Sequence, residues 1–271
     1  MCCTNREPAV VDRDAISEKL QRMVAALVAT QPAGAGLCLV GGFRYRMLDR
    51  GPRRSVDIDF HWHGDLVAKQ RELIELFGRR LLPEVRRLHD LDGSVAPGTL
   101  LDESGAVAVV ELAFWRLGSD LGRIEIPVDV TRLEVADSPI ARTADGVVYR
   151  TLSDADMLES KVIAILSRPF LEHRDLLDLF LFSSHAPGEM RGRVGKKLQR
   201  RGVGVDVVER RLQDLRDSAD RHAKAIDALI REQVDPTTAS VLADTGGGRA
   251  VLESALQLLT RVCGDEEAGA S

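Results

Sequence analysis

The sequence predicts an α+β fold, in which a mixed β-sheet with flanking helices is followed by an α-helical C-terminal region. Short apolar or alternating runs bounded by glycine and proline recur through the first 150 residues, as strands require. From Ser153 to about residue 262 amphipathic helical patterns follow one another. With 271 residues, 44% of them hydrophobic, the chain can bury one large core or two smaller ones. We expect a core domain over 1–150 and a helical domain over 151–271.

The N-terminal half alternates between the two kinds of pattern. Apolar residues at helical spacing predict helices over 14–30 and 66–88, and residues 43–50 also have helical character. The run LCLVGG at 37–42 reads as a short strand ending in a double glycine. The stretch SVDIDFHW alternates strictly and predicts a strand with one apolar and one polar side. The apolar side would carry Val56, Ile58, Phe60 and Trp62, and the polar side Asp57, Asp59, His61 and His63.

Two further strands and a series of helices complete the prediction. Residues 106–117 and 122–133 read as strands joined by a turn at Gly118–Gly122, and Pro127 suggests an edge position or a bulge. After the short run VVYRTL, helical patterns cover 153–168 and 172–184 and continue in charged amphipathic segments. No internal repeat is present.

Composition limits the classes of function. The net charge of −5 argues against a protein that coats nucleic acid over its whole surface, although local basic patches remain possible. The four cysteines have no CxxC spacing and indicate free thiols in a reducing compartment. No run approaches eighteen apolar residues, and the N-terminus has no apolar segment of the kind that signal peptides carry. We therefore expect a soluble cytoplasmic protein without a membrane partner.

The stretch RRSVDIDFHWH holds the strongest chemical signal. Two acids at i and i+2 on a strand place both carboxylates on one side, about 6–7 Å apart at their Cα atoms. Such a pair suits Mg²⁺, which takes one or two carboxylates plus the oxygens of a substrate phosphate. Upstream, Gly41-Gly42 lies between an apolar run and a helical segment, where glycines and a helix N-terminus favour a phosphate. Taken singly, the two features are also compatible with a solvated strand face and an ordinary tight turn.

A zinc site is the alternative for this stretch. Four alternating ligands, Asp57, Asp59, His61 and His63, cannot surround one ion, because their Cα atoms span about 20 Å along the strand. Two of them together with a distant ligand could still bind zinc.

The same residues resemble a known family. The series VGGFRYRML…RRSVDIDF is similar to the first motif of the nucleotidyltransferase superfamily. Its R-x-S-x-D-h-D-F form, Arg53 to Phe60, resembles the branch of AbiEii/AbiGii-type toxins and the related MenT toxins. A second stretch, residues 152–182, resembles later motifs of that branch, in which a lysine on one helix precedes R-D-x-x-D on the next. The matching residues there are Lys161, Arg168, Arg174, Asp175 and Asp178.

The resemblance implies a nucleotidyltransferase-type sheet and a set of roles. Asp57 and Asp59 would hold Mg²⁺ or Mn²⁺ on a nucleoside triphosphate. Gly41, Gly42, Ser55, Lys161 and Arg174 would bind the nucleotide. Lys161 and Asp175 would also count among the catalytic residues, Asp175 by supporting the metal or the nucleotide pocket. Judged by itself, Lys161 could equally be a snorkelling side chain, and Asp175 a charge at a helix N-terminus.

The superfamily adds a third carboxylate from a neighbouring strand, as general base or metal ligand. Glu125 and Asp129 are both candidates and lie four apart, on one face if the strand is regular. Glu111 is a further possibility. We favour Asp129 as the third metal-binding and catalytic acid, because the VDV run occupies the place where the family often carries it.

The function implied by the resemblance is transfer of a nucleoside monophosphate to an RNA acceptor, plausibly the 3′ end of tRNA, by the toxin of a toxin–antitoxin pair. Two basic clusters would meet the RNA phosphates: the stretch 191–202 with Arg210 and Arg211, and the arginines between Arg44 and Arg54. No aromatic stripe accompanies them, which gives no support for a stacking platform. The alternatives are transfer to a small molecule such as an antibiotic, and a non-catalytic binding protein on the same scaffold.

Overall fold

The computed structural model describes residues 12–101, 107–118, 120–185 and 190–263. Its helices are α1 (Arg13–Thr30), α2 (Gly41–Leu48), α3 (Leu66–Leu76), α4 (Leu82–His89), α5 (Asp154–Ser167), α6 (His173–Phe182), α7 (Met190–Arg200), α8 (Val205–Asp217), α9 (Ala219–Gln233), α10 (Pro236–Asp244) and α11 (Gly247–Cys263). A π-helical turn, Phe77–Leu81, joins α3 to α4, so that the helix predicted over 66–88 is continuous.

The strands form one seven-stranded sheet. They are β1 (Cys38–Val40), β2 (Ile58–His61), β3 (Asp92–Leu101), β4 (Val107–Trp115), β5 (Ile124–Thr131), β6 (Ile140–Ala144) and β7 (Val147–Thr151), in the order β3-β4-β5-β2-β1-β7-β6. β3, β4 and β5 pair antiparallel, whereas β2 and β5 pair parallel. The predicted α+β fold, a mixed sheet with flanking helices and a helical C-terminal region, is confirmed.

Two details of the strand prediction differ in the structure. Strand β2 begins only at Ile58, and Val56, predicted to point inward, is 61% exposed because it precedes the strand. Strand β5 is not an edge strand, and its pairing with β4 has no bulge at Pro127. Pro127 is tolerated because β2 pairs with β5 only from Val128 onward, so that at Pro127 β5 has a neighbouring strand on one side only.

The described chain divides into two compact units. The first comprises residues up to 39, 56–132 and 142–150, and the second comprises 40–55, 133–141 and residues from 151 onward. All of the described residues in the range predicted as the helical domain fall in the second unit, which also takes in two earlier segments. The domain boundary near residue 150 stays a prediction.

In the first unit, α3 packs on β3, β4 and β5, and α1 also packs on β5. Both helices begin at an aspartate N-cap, Asp12 for α1 and Asp65 for α3, whose carboxylates accept backbone N–H groups of the first turn. The alternating side chains of β5, Ile126, Val128 and Val130, are fully buried. The core of this unit therefore fixes the two strands that carry the predicted acids.

In the second unit, α11 is the central helix and packs against α6, α7, α8, α9 and α10. Helix α5 packs on α6, α7 and α8. Between α5 and α7 lies a buried ionic cluster: Lys197 Nζ is 2.8 Å from Asp156 and 2.7 Å from Glu159, and Arg193 Nε is 2.6 Å from Glu159. Buried charges persist only when they are paired in this way. Within the described part of the chain, no helix is long and apolar enough to cross a membrane.

Candidate functional site

Two of the predicted acids lie side by side on neighbouring strands of the first unit. In the parallel pairing of β2 with β5, Asp59 is the Cα partner of Asp129. Directly paired residues of adjacent strands are about 4.8 Å apart and point to the same face of a sheet. On the other face, Ile58 and Phe60 of β2 and Val128 of β5 are buried. The fold thus brings together two half-buried carboxylates that are 70 residues apart in sequence.

Asp57 lies one residue before β2, in a bend, and is half-buried. It keeps the i, i+2 relation to Asp59 but is not held by a strand partner of its own in the β2–β5 register. Among the described residues, no group of three histidine, cysteine, aspartate or glutamate side chains is placed to hold a metal ion. Asp57, Asp59 and Asp129 are therefore not a preformed cage, and a cation would need further ligands from a substrate or from water.

The register also separates Asp129 from the other two candidates for the third carboxylate. Glu125 lies on the same strand and face as Asp129 but four residues away, which is about 13 Å. Glu111 is exposed on β4 and pairs with Pro127, so that β5 lies between it and β2. Of the three, only Asp129 is beside Asp59.

One of the two histidines after the acids differs from the prediction. The alternation places His61 on the polar side of the strand, yet it is 1% exposed, and its Nε2 atom is 2.9 Å from Nε2 of exposed His63. His61 is the last residue of β2, where its Cα partner is Thr131 of β5. Its burial follows from packing at the strand end, which the alternation alone does not reveal.

In the second unit, the glycine pair adopts a conformation that requires glycine. Gly41 has φ +73°, in the left-handed region, and opens α2. A Cβ atom on Gly42 would lie 2.3 Å from Nη2 of Arg53 and 2.9 Å from Oγ of Ser55. The absence of a side chain on Gly42 therefore makes room for the arginine and serine of the R-x-S motif. Helix α2 has no side-chain N-cap, because Val40 precedes it.

Arg53 links the glycine turn to α6. Its guanidinium binds the Asp178 carboxylate through two hydrogen bonds, Nε to Oδ1 at 2.6 Å and Nη2 to Oδ2 at 2.9 Å. Both side chains are almost fully buried. The segment around Arg53 is fixed by a short antiparallel bridge to Val234 and by the backbone hydrogen bond from Arg54 to Gln233, 2.7 Å long.

The same Asp178 carboxylate binds the lysine of α5. Lys161 Nζ is 2.6 Å from Asp175 and 3.0 Å from Asp178, and Arg168 Nη1 is 3.0 Å from the other oxygen of Asp175. Three cations, Arg53, Lys161 and Arg168, thus meet two carboxylates in one network, which we call the Lys161 network. The two carboxylates can join one network because Asp175 and Asp178 are i and i+3 on α6 and therefore share a face of that helix.

Electrostatics keep this network charged. Burial opposes the charged form of Lys161, but the attraction of Asp175 and Asp178 outweighs it and raises the pKa of the lysine. Burial likewise opposes the charged form of Asp178, and Lys161 and Arg53 nevertheless lower the pKa of that carboxyl. Lys161 is therefore an ammonium held by its neighbours rather than a snorkelling surface side chain.

The observed network differs from the predicted set of site residues in one predicted and two unassigned residues. Arg174 lies outside the described contacts of the Lys161 network, with Nε 3.8 Å from Glu172. Asp178 and Arg53, which were not assigned to the site, are central members of that network. The spacing R-D-x-x-D contained the signal for Asp178, because i and i+3 lie on one helix face.

The two predicted RNA-binding clusters are largely occupied by internal contacts. Arg44 is fully buried and pairs with Asp49 and, at 2.5 Å, with Asp154. Arg53 is buried against Asp178, while Arg193 and Lys197 belong to the ionic cluster of α5 and α7. These four cations stabilise the second unit, so the prediction that the clusters present them to RNA is wrong for them.

A family model and solved structures of known proteins are similar to this chain over most of its length. The family model described as the nucleotidyl transferase AbiEii toxin of a type IV toxin–antitoxin system matches residues 22–245. A crystal structure of JHP933 from Helicobacter pylori is similar with TM-score 0.51 and 16% identity, covering 93% of this chain and 94% of that one. MenT4, a nucleotidyltransferase toxin of Mycobacterium tuberculosis, is similar with TM-score 0.53 and 17% identity, covering 94% of this chain and 89% of that one.

A comparison with curated proteins finds no significant match. At 16–17% identity the structural likenesses establish the fold alone. The family model is the stronger finding, since it extends over most of the chain and includes both the paired acids of the sheet and the Lys161 network. The chain belongs to the AbiEii nucleotidyl transferase toxin family.

Proposed function

We propose that the protein is a metal-dependent nucleotidyltransferase that transfers a nucleoside monophosphate from a nucleoside triphosphate to an RNA 3′ end, with tRNA as the acceptor, and releases pyrophosphate. We further propose that it acts in the cytoplasm as the toxin of a toxin–antitoxin pair and has a cognate antitoxin as partner. The observation that carries the proposal is the lateral pairing of Asp59 with Asp129 on adjacent parallel strands.

The donor set fits a hard cation better than zinc. Mg²⁺ keeps several waters and is bound through one or two carboxylates together with substrate phosphates, so it needs no complete protein cage. Structural zinc needs four convergent nitrogen or sulfur ligands, and no such convergence is present among the described residues. In this proposal Asp57, Asp59 and Asp129 would hold Mg²⁺ or Mn²⁺, which would neutralise charge on the triphosphate.

The reaction is an in-line displacement at the α-phosphorus. The acceptor hydroxyl oxygen forms a new bond to that phosphorus while the bond to the bridging oxygen of the β-phosphate breaks, and pyrophosphate leaves. The hydroxyl proton passes to a carboxylate, for which Asp129 is our choice, or to water. Positioning and charge neutralisation supply most of the rate in such transfers.

Groups suited to an anion also occur within the second unit. Gly41 is left-handed, the first turn of α2 has no side-chain N-cap, as at helix N-termini that bind phosphate, and Ser55 lies against Gly42. Lys161 is assigned to phosphate binding by the family resemblance, and its permanent positive charge supports that assignment. Asp175, bound to both Lys161 and Arg168, acts in this proposal as a positioning residue. Arg174 remains a proposed nucleotide contact.

The test is incubation of the protein with each labelled nucleoside triphosphate separately, Mg²⁺ or Mn²⁺, and total tRNA. Asp59→Asn and Asp129→Asn should each lower transfer by at least about 100-fold, the scale of losing a group that stabilises transition-state charge. Glu125→Gln is the matched control, because Glu125 lies on the same strand and face as Asp129 but four residues away. It should retain activity.

Three results would contradict the proposal: no transfer by the wild-type protein, transfer that survives Asp59→Asn, or full activity in the presence of excess chelator. Small-molecule acceptors run in parallel separate the RNA acceptor from the alternative. Transfer to an aminoglycoside but not to tRNA would overturn the RNA part and leave the chemistry intact.

A further inference from the structure

The loop that follows α2 holds an arginine in the left-handed region of backbone conformation. Arg50 has φ +55°. The other described residues besides glycine with positive φ, Asp90 and Asp145, are aspartates, whose short polar side chains tolerate this region. Arginine has no such compensation. A backbone outlier of this kind is a reason to look for a functional role of the side chain.

The place of Arg50 in the chain is one that usually takes glycine. Asp49 is the C-cap of α2, and the residue after a C-cap is commonly a left-handed glycine. The glycine that does occur here, Gly51, meets a different need, because a Cβ atom on it would lie 2.8 Å from Cζ of Phe182. The close packing at Gly51 therefore does not explain why the preceding residue is an arginine.

Contacts within the chain do not explain Arg50 either. Its side chain is exposed and has no hydrogen bond or ion pair to any residue that the structure describes. Asp49 is the one acid among residues 44–55, and it is bound by buried Arg44. Arg53 is likewise bound to Asp178. Arg50 thus presents to solvent a guanidinium whose charge no neighbour in this segment cancels.

Hydrogen bonds fix the backbone next to Arg50. The Gly51 N–H group donates to the carbonyl oxygen of Tyr45, at 2.9 Å. The carbonyl oxygen of Pro52 accepts from the N–H group of Asp235, at 3.0 Å. The guanidinium is therefore carried by an anchored loop, which reduces the conformational entropy that a ligand must remove when it binds.

Arg50 and the glycine turn proposed to bind the nucleotide lie at opposite ends of α2. The helix rises about 1.5 Å per residue, so that Gly41 and Leu48 are about 10 Å apart along its axis. A phosphate bound at Gly41 is thus roughly one helix length from the loop of Arg50. Arg50 suits a second anionic group. An RNA acceptor is a chain of such groups, and a guanidinium can bind a phosphate through two hydrogen bonds.

We propose that Arg50 binds a backbone phosphate of the RNA acceptor and that its left-handed conformation is retained for this contact. The inference rests on the proposed function and deepens it, because it assigns one contact with the acceptor to a named residue. It also narrows the cluster of arginines between Arg44 and Arg54, in which Arg44 and Arg53 are buried in ion pairs.

Binding can be measured without turnover, by fluorescence anisotropy with labelled deacylated tRNA at about 50 and 200 mM salt. Arg50→Asn removes the charge and introduces a residue that tolerates the left-handed region. It should raise Kd at least about 3-fold at the lower salt concentration. The ratio of its Kd to that of the wild type should shrink about 3-fold at the higher one, because one lost phosphate contact lowers the salt slope by about 0.7–0.9.

Two variants serve as controls for this measurement. Arg50→Lys keeps both the charge and the left-handed strain, and it should keep the salt slope of the wild type. Arg261 is exposed on α11 and has no hydrogen bond or ion pair to a residue in the described part of the chain. Arg261→Gln changes the net charge as much as Arg50→Asn does, and it should leave RNA binding unchanged.

Stability and kinetics give readouts that a merely structural role would not reproduce. Arg50→Asn and Arg50→Gly should each raise the urea midpoint by about 0.2–0.5 M, because they relieve the left-handed strain. If Arg50 instead served to stabilise the C-terminus of α2 by its charge, both variants would lower the midpoint. In the transfer assay, Arg50→Asn should raise KM for tRNA and leave KM for the nucleotide unchanged.

The inference is overturned if the wild type does not bind tRNA, if Arg50→Asn binds it as the wild type does, or if Arg261→Gln weakens binding equally. A lower urea midpoint for both neutral variants of Arg50 also overturns it. So does a rise in KM for the nucleotide alone, which would assign Arg50 to the nucleotide, or loss of antitoxin association with unchanged RNA binding, which would assign it to a protein. Failure of the proposed function is distinct, since it is absence of nucleotide transfer by the wild type whatever the RNA affinity.

Discussion

Replacing Gly42 by alanine should destabilise the protein, although alanine is the better helix former. A Cβ atom at this position would lie 2.3 Å from Nη2 of Arg53, far inside van der Waals contact. That nitrogen is the end of a long side chain and would ordinarily move aside at little cost. Here it donates a 2.9 Å hydrogen bond to Asp178 in a pair whose members are 5% and 1% exposed, so that moving it disrupts a buried ion pair.

The magnitude follows from two opposing effects. Disrupting a buried ion pair so that one charge is left uncompensated costs about 3–5 kcal/mol. Exchanging glycine for alanine within a helix stabilises by about 0.5–1 kcal/mol. Gly42 is the second residue of α2 and has no positive φ, so the helical gain applies to it. The expected net loss is about 2–4 kcal/mol of unfolding free energy.

Urea unfolding followed by circular dichroism measures this loss. Gly195→Ala is the control, since Gly195 lies within α7 and an added Cβ there meets nothing within 4 Å. It should stabilise by about 0.5–1 kcal/mol. In an Asp178→Asn background the penalty of Gly42→Ala should shrink, because the ion pair is already weakened. A Gly42→Ala protein as stable as the wild type, or an equal penalty in both backgrounds, would refute the reasoning.

Two further predictions concern other buried groups. Lys197→Met should lower the free energy of unfolding by about 3–5 kcal/mol, because it leaves two buried carboxylates without their ammonium partner. Lys196→Met, on the exposed side of the same helix, is the control and should change stability by less than about 0.5 kcal/mol. Equal effects of the two substitutions in thermal unfolding would contradict this prediction. The rings of His173 and His222 meet with Nε2 2.9 Å from Nδ1, and burial is the main cause that lowers the pKa of both histidines, so the unfolded chain binds their protons more readily. Stability should therefore fall as pH drops below about 6.5 towards the depressed folded values, and His222→Gln should flatten the dependence of the urea midpoint on pH between 7 and 5; an unchanged profile would exclude the pair as its source.

The strands carrying Asp59 and Asp129 could be predicted from the sequence, but their pairing could not. Alternation identifies each strand and its faces, whereas the β2–β5 register depends on the order of strands in the sheet. Strand β3 was missed because Gly93, Pro97 and Gly98 interrupt the pattern on which strand prediction rests. Its pairing with β4 over that stretch compensates for the weak local preference.

In the second unit, the burial and pairing of charged residues likewise could not be predicted from local sequence patterns. Arginine is rarely fully buried, so Arg44 was assigned to a surface cluster on composition alone. Its partner Asp154 lies 110 residues later, and no local pattern connects the two. The Lys161 network was partly predictable, because Asp175 and Asp178 share a helix face. Arg53, the cation that the R-x-S motif contributes to this network, could be identified only from the structure, because its partner Asp178 lies 125 residues later in the sequence.

The bridge between Arg53 and Val234 has a consequence for how the protein is made. The residues around Arg53 acquire their backbone partners, Gln233 and Val234, only after about 180 further residues have been synthesised. Contacts this distant in sequence form late and require most of the chain to be present. A chain truncated before residue 233 would therefore lack these two backbone partners of the R-x-S motif. This part of the fold can be completed only when translation is close to its end.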